Sequence, residues 1–273
     1  MRLRPELTPE QALANLSQAT NTLRTATQVM GGDVRVAEAY VGAVSDVERT
    51  LRATFIDVRL NLLRTQRFWA IHALAGARLI EMVNDERDAQ TQRLDAYVSR
   101  IRDLAARFSG DVPLAVVDTH VLLHYRLFDE VDWPAIVGAE NVRLVVPLRV
   151  IDELDAKKAG RRQELGDRAR TVIRHLEETL ARNGDVREGV RLEVVALAEL
   201  DPDTYGAPPL LADIEIIEVS EGLSSYAGGG MAHLITGDLG MRIRARDRSL
   251  LVVGMPDEYS LPAKDSTKPD TAT

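Results

Sequence analysis

The sequence predicts an α/β domain, an open parallel sheet with helices on both faces, behind an all-helical N-terminal domain. Three observations predict it. No proline falls between Pro9 and Pro113, and glycine occurs there only at Gly31, Gly32, Gly42, Gly76 and Gly110, so residues 1–110 read as helix. From Leu114 the hydrophobic period changes to short β-branched runs separated by stretches of helical character. Between the two regions, Ser109-Gly110-Asp111-Val112-Pro113 reads as a linker. The expected division is a helical domain over 1–110, an α/β domain over 111–260 and a polar, disordered tail over 261–273.

The helical half begins with a weak stripe. Leu13, Leu16, Leu23 and Met30 keep helical spacing, but Thr20 and Thr27 interrupt the apolar seam. Gly31-Gly32-Asp33 reads as a helix stop followed by Asp33 as N-cap. A strong stripe follows through Tyr40, Val44, Val47, Leu51, Phe55, Val58 and Leu62, and another through Leu94, Tyr97, Ile101, Leu104 and Phe108. Three long helices are expected, with the last break between Ala73 and Asp88. The stripes carry no cluster of residues suited to chemistry. A seam weakened by threonine suggests a core shared with a second copy, hence a homo-oligomer joined through these helices.

In the second half the expected strands are Leu114–Val117, Arg143–Val146, Leu192–Leu197, His233–Thr236 and Leu250–Val253. A helical pattern over Asp167–Ala181 separates two of them. Apolar strands alternating with helices imply parallel pairing with both faces covered. Gly228-Gly229-Gly230 lacks the Lys-Ser/Thr of a phosphate loop and opens a strand, so it reads as a turn. Trp69 and Trp133 read as packing residues.

Composition excludes several classes. The 273 residues are 45% hydrophobic and 28% charged, as in globular proteins. No apolar run approaches the ~20 residues of a bilayer span, and the N-terminus lacks a secretory apolar stretch. The chain has no cysteine, which removes disulfides, zinc–thiolate sites and cysteine nucleophiles and fits a reducing cytoplasm. Net charge is −8, unevenly spread. Residues 1–110 hold 15 Arg and no Lys against 13 acids, whereas residues 111–273 hold 19 basic residues against 29 acids. An acidic half acts on a polyanion only where its carboxylates gather around metal ions.

Four acids fall at or near strand ends, where open parallel sheets collect ligands. Asp118 closes the first strand, Glu153 follows the second, Asp213 opens an apolar helix and Asp238 follows the fourth strand. Each alone has an ordinary structural reading as turn residue, N-cap or solvated charge. Asp118 resists that reading most, because an acid ending an apolar strand is costly unless paired or hydrogen-bonded. Four carboxylates in one crevice would repel each other without a divalent cation. Oxygen-rich sites of this kind suit Mg²⁺ or Mn²⁺.

These residues resemble the PIN-domain nuclease family. Val116-Val117-Asp118-Thr119-His120-Val121-Leu122-Leu123 is similar to the family's first motif, and Pro147 to Lys158, with Glu153 before Leu154, to its second. Asp213 ahead of Ile214-Glu215-Ile216-Ile217 matches the third, and Leu234-Ile235-Thr236-Gly237-Asp238 the last. The resemblance covers roughly Leu114 to Met255 and implies a three-layer α/β/α fold. It implies that Asp118, Glu153, Asp213 and Asp238 bind metal and that the activity is metal-dependent cleavage of single-stranded RNA. Thr119 and Thr236 would then position the ligands. Glu215 or Glu218 stands as an alternative to Asp213, and Gly237 replaces the Asn of many relatives.

Phosphate contacts are expected from Arg161, Arg162, Arg168, Arg170 and Arg174 after the second motif. Arg242, Arg244, Arg246 and Arg248 follow the last one. For both groups a solvated, internally balanced face is the competing reading. His120 and His124 have the i, i+4 spacing of a metal pair, but without further ligands such a pair is ordinarily packing or surface. Two other classes stand beside the nuclease: a catalytically silent PIN-fold scaffold, and a toxin-type nuclease held by an antitoxin-like partner.

Overall fold

The computed structural model describes residues 2–4, 6–56, 63–73, 79–160, 163–200, 210–227 and 231–262. The expected turn at Gly228–Gly230, the tail from residue 263, and Arg161 and Arg162 lie outside the described residues. The chain divides into two compact units. One comprises Met1–Asp111 with Ala198–Gly206 and Glu221–Met231; the other comprises Val112–Leu197, Ala207–Ser220 and Ala232–Thr273.

The helical unit opens with α1 (Pro9–Thr25), started by a reciprocal cap. The Thr8 hydroxyl accepts from the Gln11 backbone N–H at 3.3 Å, and the Gln11 side chain accepts from the Thr8 N–H at 2.9 Å. Ala12, Leu16, Ala19 and Leu23 are buried against α2 (Asp33–Thr54) and α4 (Leu79–Phe108). Thr20 is buried with them, its hydroxyl donating to the Leu16 carbonyl at 2.9 Å. The Thr20 hydroxyl in the seam is therefore satisfied within its own helix.

Gly32, not Asp33, is the N-cap of α2; Asp33 is already helical and lies in the first turn, where its charge favours the helix dipole. The stripe from Tyr40 does not run on as helix to Leu62. It stops at Thr54, because Phe55 turns extended and pairs with Leu3 in an antiparallel bridge. Val58 and Leu62 lie outside the described residues. A short helix absent from the expectation, α3 (Gln66–His72), is capped by the Thr65 hydroxyl, which accepts from the Phe68 N–H at 3.1 Å. The break before α4 falls inside the window predicted for it.

The second unit is a three-layer α/β/α fold around a six-stranded sheet. In chain order its elements are β1 (Leu114–Val117), α5 (Thr119–His124), α6 (Trp133–Val137), β2 (Val142–Pro147), α7 (Leu148–Lys158), α8 (Gln163–Ala181), β3 (Asp185–Arg187), β4 (Val190–Val195), α9 (Leu197–Leu200), α10 (Ala212–Tyr226), β5 (Ala232–Ile235), α11 (Leu239–Asp247) and β6 (Leu251–Val253). Helices α9 and α10 each continue from this unit into segments of the helical one. The strand order is β3-β4-β2-β1-β5-β6, parallel throughout except for the β3–β4 hairpin.

Every residue of β1 is buried, which explains its unbroken apolar run. Strand β4 starts two residues before the predicted Leu192, since Val190 pairs with Val142 and brings the ladder forward. Strand β1 lies between β2 and β5, with Val116 opposite Val145 and Val117 opposite Ile235. The chain leaves β1 toward β2 and returns on its other side at β5. This reversal makes the carboxyl ends of β1 and β5 a topological switch point, where open α/β sheets form crevices. Trp133 packs as expected, fully buried, its indole N–H donating to the Phe128 carbonyl at 2.6 Å. Trp69 packs edge-on against Phe68, with ring centroids 5.3 Å apart, but stays 49% exposed.

Candidate active site

Beyond β1 the backbone at Asp118 stays extended, and its carboxylate caps α5, Oδ1 accepting from the Val121 N–H at 2.8 Å. Beyond the neighbouring β5, Asp238 does the same for α11, Oδ1 accepting from the Met241 N–H at 2.8 Å. The fully buried Thr236 joins the two. Its hydroxyl donates to Asp118 Oδ2 and accepts from the Asp238 backbone N–H at 2.9 Å. Glu153 projects from the second turn of α7, and its carboxylate accepts a hydrogen bond from the Thr119 hydroxyl. Asp213, in the first turn of α10, pairs with Arg244 of α11 at 2.6 Å instead of capping its helix.

The structure brings Asp118, Glu153, Asp213 and Asp238 to the lining of one cavity of about 170 Å³. Asp118 is buried, Glu153 and Asp213 are half-buried, and Asp238 is exposed, so the acids run from the floor to the mouth. Glu215 and Glu218 are not among the lining residues. Glu215 faces Arg149 instead, at 4.0 Å, and burial pushes its carboxyl up.

Burial also pushes Asp118 up, to about 6, with nearby Asp238 adding to the shift; the bonds from Thr236 and Val121, and His120, oppose it. A charge held this way favours a cation in the cavity. The donor chemistry suits a hard divalent ion, since the acids offer carboxylate oxygens and no thiol competes. Among the described residues, however, no three His, Asp or Glu side chains stand grouped as ligands to one ion. Each carboxylate is engaged by a hydroxyl, backbone amide or guanidinium partner.

Three of the expected arginines are occupied. Arg244 is taken by Asp213, Arg168 donates to the Tyr125 carbonyl, and Arg170 pairs with Asp167. Arg242 is absent from the cavity lining, and its buried Nε has no partner. The cation that does line the cavity is Lys157. Its signal was present in the sequence, because Lys157 lies four residues after Glu153 and so shares its helix face. His120 and His124 also line the cavity.

The family model described as PIN domain matches residues 115–255. This chain belongs to the PIN-domain family. Members are generally nucleases, and they usually use Mg²⁺ or Mn²⁺. The PIN match spans β1 through β6 and includes all four acids. Among solved structures, the chain is similar to a domain of a functionally unknown protein from Methanocaldococcus jannaschii DSM 2661. The two share 16% identity with a TM-score of 0.36, over 57% of this chain and 97% of that one. No curated protein matches. No helix among the described residues is long and apolar enough to cross a membrane.

Proposed function

We propose that this PIN domain is a metal-dependent endoribonuclease that hydrolyses phosphodiester bonds of single-stranded RNA. One observation carries the reading: four acids scattered between residues 118 and 238 line a single cavity at the switch point of a PIN-family sheet. A Mg²⁺ or Mn²⁺ ion held there by Asp118, Glu153 and Asp238 would polarise the phosphodiester and acidify water. The chain's own part is positioning. Thr236 fixes Asp118 and Asp238 relative to each other, and Thr119 aims Glu153. Arg244 holds Asp213 at the rim, and Lys157 supplies a positive charge for a phosphate on the same wall as Glu153.

The silent-scaffold reading draws support from the Asp213–Arg244 ion pair and from the lack of a grouped ligand set among the described residues. Incubating the full chain with labelled single-stranded RNA in Mn²⁺, then in EDTA, separates the two. The nuclease reading expects cleavage that EDTA abolishes; a scaffold binds without cleaving in either buffer. Self-association through the helical unit and an antitoxin-like partner are separate proposals, and light scattering of the full chain tests the first.

A further inference from the structure

His120 and His124 stand one turn apart on α5, and their rings meet with centroids 4.5 Å apart and planes inclined at 37°. His120 is fixed by its surroundings. Tyr125 flanks it at 6.0 Å between ring centroids. Gly237 packs directly against it: a β-carbon there would lie 2.6 Å from His120 Nδ1, 2.7 Å from Cε1 and 2.9 Å from the Tyr125 hydroxyl. No real side chain fits at such distances. The volume that a side chain at position 237 would fill is thus given to an imidazole. His120 Nδ1 is buried without a hydrogen-bond partner, so packing alone orients the ring.

His124 is seated on that fixed ring, and its side chain is exposed. Its backbone is held too, since the Leu261 N–H donates to the His124 carbonyl at 3.1 Å and Tyr125 bridges to Ser260. The result is a pre-set aromatic face on the same cavity as the four acids. Unpaired bases bind proteins largely by stacking on such faces, with cations taking the phosphates. Resting on the nuclease reading above, we propose that His124, backed by His120, is the stacking platform for the nucleobase flanking the scissile phosphate. Partial burial, and then the neighbouring His120, Lys157 and Arg168, lower the pKa of His124. The ring offers a face, and Lys157 offers the charge.

The test compares a short single-stranded oligoribonucleotide with an abasic chain of the same length, by fluorescence anisotropy of the full-length protein in Ca²⁺. Stacking predicts that wild type prefers the intact chain and that H124Q weakens its binding about five- to tenfold. H124F should stay within about twofold of wild type, and none of the variants should change abasic binding. In Mn²⁺, H124Q should raise KM and leave kcat nearly unchanged. Unchanged affinity of H124Q for the intact oligonucleotide overturns the platform. So does rescue by H124K but not by H124F, which would make the contact a phosphate one. Loss of Mn²⁺-induced thermal stabilisation in H124F would make it a metal ligand instead. A wild type that binds neither oligonucleotide fails the nuclease reading itself, a result distinct from all of these.

Discussion

In the helical unit, Glu48 and Glu86 are nearly as buried as Asp118 is in the PIN unit, yet each has a guanidinium of its own. Arg64 reaches Glu48 with two prongs, at 2.8 and 2.7 Å. Glu86 accepts from the Thr65 hydroxyl at 2.5 Å and from the Gln90 amide at 3.0 Å, and lies 3.7 Å from Arg67. Residues 64–67 thereby tie the start of α3 to α2 and α4. Asp118 receives only a hydroxyl and a backbone N–H, and its fellow acids face the same cavity. Burial of a carboxylate does not by itself mark a site. In one unit the positive partner comes from the chain, and the acid serves the fold. In the other, Asp118 is held by a hydroxyl and a backbone N–H with no guanidinium bonded to it.

The largest effect expected from this contrast is on chemistry. Asp118→Asn should lower metal-dependent cleavage of single-stranded RNA at least about 100-fold, while circular dichroism shows a folded protein. Equal rates for variant and wild type would remove Asp118 from the site. Next in size is the helical unit, where Arg64→Ala leaves Glu48 buried and unpaired. The variant should unfold at a lower urea concentration than wild type, an effect moderated by the solvent exposure of Arg64. An unfolding midpoint equal to that of wild type would place Glu48 in water and end the comparison.

The opposite sign is expected for Asp118 in EDTA. Its folded-state pKa of about 6 lies above the ordinary carboxylate value. Its protonated form therefore supports the fold below about pH 4, and that support is lost as the pH rises through 6. Asp118→Asn should be more stable than wild type by on the order of 1–2 kcal/mol at pH 7, and the gap should close toward pH 4. A gap independent of pH would mean that the gain comes from the amide and not from charge. The smallest effect separates neighbours on α10. Asp213→Asn should raise the Mn²⁺ concentration for half-maximal activity about threefold, the size of a partly exposed charge contact. Glu215→Gln should not, since it points at Arg149; the reverse outcome moves the third acid two residues along.

What the sequence made legible follows from how local each cause is. An acid directly after a buried apolar run is a local pattern, so Asp118 and Asp238 were visible at the ends of β1 and β5, and the sheet with them. Strand β3 was not, because Asp185-Val186-Arg187 has no apolar pattern and exists only by pairing antiparallel with β4 after the turn at Gly189. The ion pair of Asp213 with Arg244 joins residues on separate helices, and no spacing rule reaches that far. The buried pair Glu48 and Glu86 has a local sequence signature as well. Glu48 follows Val44 by four residues and Glu86 follows Val83 by three, which places each acid on an apolar face. Gly237 was noticed as a departure, but its cause lies in the ring of His120, far away in the chain and adjacent in space.

Asp118 and Asp238 each begin a helix as well as facing the cavity. Replacement by alanine removes a helix start together with a carboxylate, at about 1 kcal/mol for each lost cap. Asparagine caps about as well as aspartate and abolishes only the charge. Asp118→Asn and Asp238→Asn are thus the substitutions that separate the charge of these acids from their part in the fold.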